Sequence, residues 1–239
     1  MDKALQKIRD TLAHAECVAV LTGAGVSASS GLETFRGAGG LWRNFRAADL
    51  ATPEAYARDP QIVWEWYFWR FQTAAAAAPN SAHAALVNLE NRVRDFTLVT
   101  QNVDGLHRRA GSQKVVELHG NLTQARCERC GWLEPLTHRT TLPPLCPSCG
   151  SRMRPNVVWF GEALPQKALH SAADAFSRAD VALVVGTSSV VEPAASLAGL
   201  TLSRGATVVE INPERTPLSA HTTLSLPHDA VTGLTLLLA

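Results

Sequence analysis

Four short apolar runs rich in β-branched residues constrain this chain more than any other feature. They are VAVLT (18–22), FTLVT (96–100), VALVV (181–185) and ATVVEI (206–211). Near-continuous apolar strands belong in a parallel sheet covered on both faces. Helical patterns separate them at 3–15, 61–77, 81–94, 166–178 and 193–203, with Asn80 or Ser81 as a cap for the third. Strands alternating with helices predict an α/β fold: a Rossmann-like, doubly wound parallel sheet with helices on both faces.

Each run ends in small or amide-bearing residues: TGAGVSASSG, TQNVDGLH, GTSSVVEP and INPE. Open α/β sheets bind ligands at the carboxyl ends of their strands, so four polar ends describe one nucleotide-sized site. The first is a variant phosphate loop. Gly23, Ala24 and Gly25 follow a strand, and Ala28 completes G-x-G-x-x-A. Such glycines allow a tight turn and close backbone approach to a pyrophosphate at a helix start. The acidic residue of an ordinary dehydrogenase, about twenty positions on, is missing; the chain runs into LETFRGAGGLW instead. The reading is a dinucleotide held in a different way.

Five cysteines need an account. Cys17, beside the first strand, reads as a buried small residue. Cys127 and Cys130 (CERC), and Cys146 and Cys149 (CPSC), form two pairs, each followed by glycine. The spacing matches a four-thiolate zinc site better than a pair of disulfides, which are rare in a reducing compartment. Four thiolates close the metal shell and leave no position for substrate, so the expected zinc is structural. The composition shift at 124–155 marks the zinc module, and a helical insert is expected over roughly 35–80. The remaining segments, about 1–34, 81–123 and 156–239, make the Rossmann-like part of one domain spanning 1–239.

Other classes lose support. The formal net charge is +1 and no basic stripe stands out, so nucleic-acid binding has no electrostatic footprint. No apolar stretch reaches the length of a membrane span. The start, MDKALQKIRDTLAHAE, reads as a charged helix rather than an export signal. A cytoplasmic protein is expected.

Residues 62–71, IVWEWYFWRF, pose a separate question. Tyr67 and Arg70 are three apart and share a helix face. The plain reading is two polar tips snorkelling from a packed helix.

Taken in order, TGAGVSASSGLETFRGAGGLW (22–42), TQNVDGLHRRAG (100–111), VVELHGNL (115–122), the four cysteines, RPNVVWFGE (154–162), GTSSVVEPAA (186–195) and EINPE (210–214) resemble the sirtuins. These are NAD-dependent protein lysine deacylases. The likeness covers nearly the whole chain and implies one sirtuin-type catalytic domain of bacterial type, expected to be a monomer. It implies that Gly23, Ala24, Gly25 and Ser27 line the NAD phosphates, that Phe35 and Arg36 lie on the mobile cofactor loop and shield the reacting ribose, and that Trp42 also binds the cofactor. Gln101, Asn102, Val103 and Asp104 would hold nicotinamide and ribose. Asn102 and Asp104 would also count with His119, the general base, as the catalytic set. Gly186, Thr187, Ser188, Asn212, Pro213, Glu214 and Ala230 would cradle the adenosine half. Val157, Val158, Trp159, Phe160 and Gly161 would sandwich a substrate peptide with Val190, Val191 and Glu192, as an added strand.

The implied chemistry transfers an acyl group from lysine to ADP-ribose, giving nicotinamide, free lysine and 2′-O-acyl-ADP-ribose. His107 is read as a support for Asp104. Thr34 and the Tyr67-x-x-Arg70 pair resemble the class III branch, which removes succinyl and malonyl groups; Glu33 stands where proline is commoner. A buried acyl carboxylate would cost several kcal/mol unpaired. Arg70 can supply a forked ionic pair and Tyr67 a hydroxyl donor. Removal of acetyl groups is expected as well. The rivals are an acetyl-only deacetylase or an ADP-ribosyltransferase on the same fold, a non-catalytic NAD sensor, and a zinc hydrolase.

Overall fold

The computed structural model of the chain describes residues 2–33, 41–42, 45–137 and 141–239. Helix α1 (Asp2–His14) leads into β1 (Cys17–Thr22), and a 3-10 turn over Ala24–Ser30 follows. Two short strands, β2 (Leu41–Trp42) and β3 (Phe45–Arg46), precede α2 (Ala47–Leu50), α3 (Pro53–Arg58) and α4 (Pro60–Ala76). Next come α5 (Ser81–Arg92), β4 (Asp95–Thr100), α6 (Leu106–Ala110) and β5 (Val115–Glu117). Then β6 (Gly120–Cys127), β7 (Leu133–Pro135) and β8 (Met153–Val157) form a three-stranded sheet in the order β7-β6-β8. The chain closes with α7 (Gln166–Arg178), β9 (Val181–Val185), α8 (Leu197–Leu202), β10 (Thr207–Ile211), β11 (Leu224–Leu226) and α9 (Ala230–Leu238).

The large sheet has six strands in the order β11-β10-β9-β1-β4-β5, all parallel. The four apolar runs form its four central strands. The three-residue edges β5 and β11 are too short to carry a periodic signal.

Alternation along β1 divides the core. Val18 and Val20 join Ile8 and Leu12 of α1, Leu86 and Leu89 of α5, and Leu234 and Leu237 of α9. Ala19 and Leu21 face the other way, toward Ala172 and Phe176 of α7 and Leu197 of α8. Burying each large side chain contributes about 1.5–3 kcal/mol.

A third core lies apart from the sheet. Helices α2 to α4 bring Leu50, Tyr56, Val63, Trp64, Trp66 and Tyr67 against Leu122, Ala125, Cys127, Cys146, Met153 and Trp159. The Met153 carbonyl accepts from both the Tyr56 hydroxyl and Trp64 Nε1, each at 2.8 Å. Helix α4 starts where its sequence directs: Pro60 opens the first turn and the Asp59 side chain accepts from Ile62 N at 3.1 Å. The helical segment and the cysteine-bearing segment therefore bury one shared apolar face.

Candidate active site

The carboxyl ends of β1, β9 and β10 meet backbone to backbone. Gly23 N donates to Val185 O at 3.1 Å, Gly25 N to Gly186 O at 2.8 Å, and Gly186 N to Ile211 O at 2.9 Å. A Cβ on Gly25 would stand 2.7 Å from Gly186 Cα, and one on Gly23 would stand 2.8 Å from Gly186 O. Only glycine lets these strand ends approach so closely.

Polar side chains from β4's end form the next layer. Asn102 Nδ2 donates to Gly23 O at 3.1 Å and to Ser27 Oγ at 3.2 Å. The Ser27 hydroxyl donates to Asp104 Oδ2 at 2.7 Å, while Asp104 Oδ1 accepts from Leu106 N at 2.9 Å. Gln101 Nε2 donates to Thr187 Oγ1 at 2.9 Å and ties β4 to β9. Asn80 Nδ2 holds the 3-10 turn through Val26 O at 2.9 Å and Ser30 Oγ at 3.0 Å. That second duty of a helix cap was not legible from its sequence position.

His107 differs from expectation. Among the described residues it makes no hydrogen bond to Asp104. Its Nε2 meets Thr22 Oγ1 at 2.9 Å, beneath the sheet end, and Thr22 Oγ1 donates to Thr100 Oγ1 at 2.8 Å. Short α6 turns the ring inward beside His83, with ring centroids 4.8 Å apart. Burial pushes the His107 pKa down to about 3.

His119 lies between β5 and β6. Its Nδ1–H donates to Gln101 O at 3.0 Å, which leaves Nε2 as the lone-pair nitrogen of the neutral ring. Burial holds its pKa below 6.5, partly offset by the Gln101 carbonyl. Its own carbonyl accepts from Val158 N at 2.9 Å, and Phe160 N donates to Ala51 O at 2.9 Å. The segment after β8 is thus strung between His119 and the helical core.

Within that segment Val157 and Trp159 are buried, whereas Phe160 is exposed, as are Val190 and Val191. Gly161 turns the chain at φ +86°. Glu192 accepts from Ser196 Oγ at 2.8 Å. Trp159 faces inward: its Nε1 donates to the Tyr67 hydroxyl at 3.1 Å. Tyr67 is fully buried, which pushes its pKa up to about 12. Arg70 lies over the Trp66 and Tyr67 rings, 4.9 and 5.5 Å from their centroids. Burial pulls its pKa down, and Tyr67 and Asp104 act against that shift. Tyr67 is therefore buried and Arg70 half-buried over its ring, within the electrostatic reach of Asp104.

Other expected residues sit at the sheet's far end. Asn212 Nδ2 donates to Glu214 O at 2.7 Å, with Pro213 between them exposed. Ser188 is half-buried after Thr187. Ala230 is buried at the start of α9, which packs on the 3-10 turn. Val103 is tied to β6 through its carbonyl, which accepts from Leu122 N at 2.8 Å. Thr34, Phe35 and Arg36 lie outside the described residues, as does the side chain of Trp42.

The four clustered cysteines present sulfurs all within 4.8 Å of one another. Cys127 and Cys149 Sγ are 3.5 Å apart, and Cys130 and Cys146 Sγ are 3.6 Å apart. These are not disulfide distances. They approximate the edges of a tetrahedron whose corners lie about 2.3 Å from a central zinc. Gly131 and Gly150, at φ +73° and +70°, complete the two knuckle turns. The donor set fits a structural zinc and is closed to substrate.

Comparison with known proteins agrees with this geometry. The Sir2 family model matches residues 23–193. The chain belongs to the Sir2 family. It is 59% identical over 238 residues to an NAD-dependent protein deacylase of Thermus thermophilus, covering 98% of this chain and 94% of that protein. A deacylase of the same description from Deinococcus radiodurans is 56% identical over 242 residues, covering 98% of each. A crystal structure of a Sir2 homologue–NAD complex superposes with a TM-score of 0.92 at 46% identity, covering 98% of this chain and 92% of that one. A Sir2 complex with a deacetylated p53 peptide and 3′-O-acetyl ADP ribose gives 0.85 at 35% identity, covering 97% and 96%. The Gly23–Gly25 turn at the end of β1 and the polar Gln101–Asp104 layer of this Sir2 chain are groups of the kind that can hold a dinucleotide.

Proposed function

We propose that this chain's deacylase chemistry runs on His119 as base and is tuned by Tyr67 and Arg70 to acyl chains that end in a carboxylate. The chain is an NAD-dependent protein deacylase of the Sir2 family. NAD, when bound, supplies an activated ribose carbon and accepts the acyl group. The protein's part is to position and to move one proton. Gly23, Ala24, Gly25, Ser27, Gly186, Thr187 and Ser188 form the phosphate and ribose floor, with Asn212, Pro213, Glu214 and Ala230 toward the adenosine. Gln101, Asn102 and Asp104 orient the nicotinamide half through the bonds they already make. His119 keeps Nε2 free of a proton at neutral pH, so it can take one from a ribose hydroxyl. Phe160, Val190 and Val191 offer apolar surface to a peptide laid as a strand.

The observation that carries the acidic preference is Arg70, a desolvated guanidinium on the same inward face as a buried phenol. An acyl carboxylate meets that cation with a forked, charge-assisted pair. An acetyl group leaves the cation with water or a weaker partner, and the site discriminates accordingly. A four-thiolate zinc site suits a reducing, cytoplasmic setting, and a monomer suffices because the proposed site draws on one chain. The test is deacylation of a succinyl-lysine peptide and its acetyl twin, with and without NAD, followed by mass spectrometry. Faster, NAD-dependent loss of the succinyl group supports the reading. Equal or faster loss of acetyl defeats the preference and leaves the deacylase.

A further inference from the structure

The Arg70 side chain hydrogen-bonds the Tyr67 hydroxyl, and that hydroxyl is also the acceptor of a bond from Trp159 Nε1 at 3.1 Å. An indole N–H can only donate, so this bond occupies a lone pair of the phenol and leaves the phenol's hydrogen for another acceptor. The guanidinium of Arg70, also donor-only, lies 5.5 Å from the centre of the Tyr67 ring. Both of these neighbours are donors to that oxygen.

Trp159 is itself fixed from three directions. Its backbone N donates to Glu162 Oε2 at 2.8 Å. Glu162 takes a forked pair from Arg154 at 2.6 and 2.8 Å. The Arg154 guanidinium lies flat against the indole, 3.4 Å from the ring centroid. The Tyr56 ring packs nearby at 5.2 Å. The indole is therefore held through its backbone and by stacking on an Arg154 that is itself paired to Glu162.

We infer that Trp159 is a specificity-positioning residue: it orients the Tyr67 hydroxyl so that its hydrogen is reserved for an acidic acyl group. This rests on the clamp reading of Tyr67 and Arg70 above. Without the indole N–H, the phenol can turn its hydrogen elsewhere, and the acyl carboxylate meets a rotor that must be ordered on binding.

The full chain, loaded with zinc and at saturating NAD, provides the test. The readout is the ratio of kcat/KM for a succinyl-lysine peptide to that for its acetyl twin. It is measured for the wild type, Trp159→Phe, Tyr67→Phe and the double variant. Benzothienylalanine at position 159, which keeps the bicyclic shape and lacks the N–H, serves should Trp159→Phe not fold. The expected result is a ratio lowered about tenfold in each single variant, the worth of one hydrogen bond to a charged group. The double variant should be no lower than Tyr67→Phe alone, because both act through one hydroxyl. An unchanged ratio on loss of the N–H overturns the inference, and so does multiplication of the two losses. A wild type with no preference for succinyl overturns the clamp reading itself and this role with it.

Discussion

His119 donates its Nδ1 hydrogen to the carbonyl oxygen of Gln101, 3.0 Å away, and so the strand end proposed to meet the nicotinamide also selects the tautomer of the proposed base. Because Nδ1 is committed to a carbonyl, Nε2 is the nitrogen free to accept a proton. His119→Ala should lower kcat about 10²–10⁴-fold. Binding of ADP-ribose, read by calorimetry, should survive.

The same histidine sets an acid limb. Burial holds its pKa below 6.5, so the neutral, active form persists somewhat below that pH and is lost as pH falls further. A pH profile of kcat should stay flat through neutrality and decline only on the acid side of 6.5. A limb on the alkaline side of that value would contradict the assignment.

His107 makes a separate prediction about stability. Its folded pKa, near 3, lies below the ordinary value of 6.5. A depressed pKa means that the unfolded chain binds the proton first. The stabilisation is complete above pH 6.5 and is lost as pH falls toward 3. His107 should cost about 1.4 kcal/mol per pH unit across that window. Denaturant unfolding at pH 7 and pH 5 should differ by about 2 kcal/mol from this residue, and His107→Asn should flatten the slope.

Gly25→Ala would set a Cβ 2.7 Å from Gly186 Cα. Neither backbone can yield without moving β1 from β9. A loss of about 1–3 kcal/mol is expected, with KM for NAD raised more than kcat is lowered. Thermal unfolding beside steady-state kinetics checks both.

Cys127 and Cys146 are buried in the core that also holds Trp64, Tyr67 and Trp159. Zinc removal by a chelator, or Cys127→Ser, should therefore cost several kcal/mol and loosen the Tyr67 site. Tryptophan fluorescence should shift red while the six-stranded sheet keeps its far-ultraviolet signal. Activity should be lost together with the fluorescence change, and not before it.

Legibility in the sequence followed the range of the interactions. The strands β1, β4, β9 and β10 carry their burial in consecutive β-branched residues, and α7 and α5 carry theirs in local periodicity. The zinc ligands are paired within four residues of each other, and the phosphate loop is a contiguous motif. Such features are local, so local pattern determines them. The edges β5 and β11 are three residues long, and α9, apolar nearly throughout, has no polar stripe to mark its period.

What the tertiary structure alone decided is which groups meet across long separations. Tyr67 and Trp159 are 92 residues apart, Thr22 and His107 are 85 apart, and Ser27 and Asp104 are 77 apart. The sequence by itself determined the parallel sheet, the nucleotide-binding strand ends, the four thiolates and the shared face of Tyr67 and Arg70. It could not say that this face turns inward, because an amphipathic pair on a helix packs or snorkels according to what covers it. Here the cover is Trp159, delivered by the segment after β8, and a donor from that distant residue decides where the phenol's hydrogen is free to go.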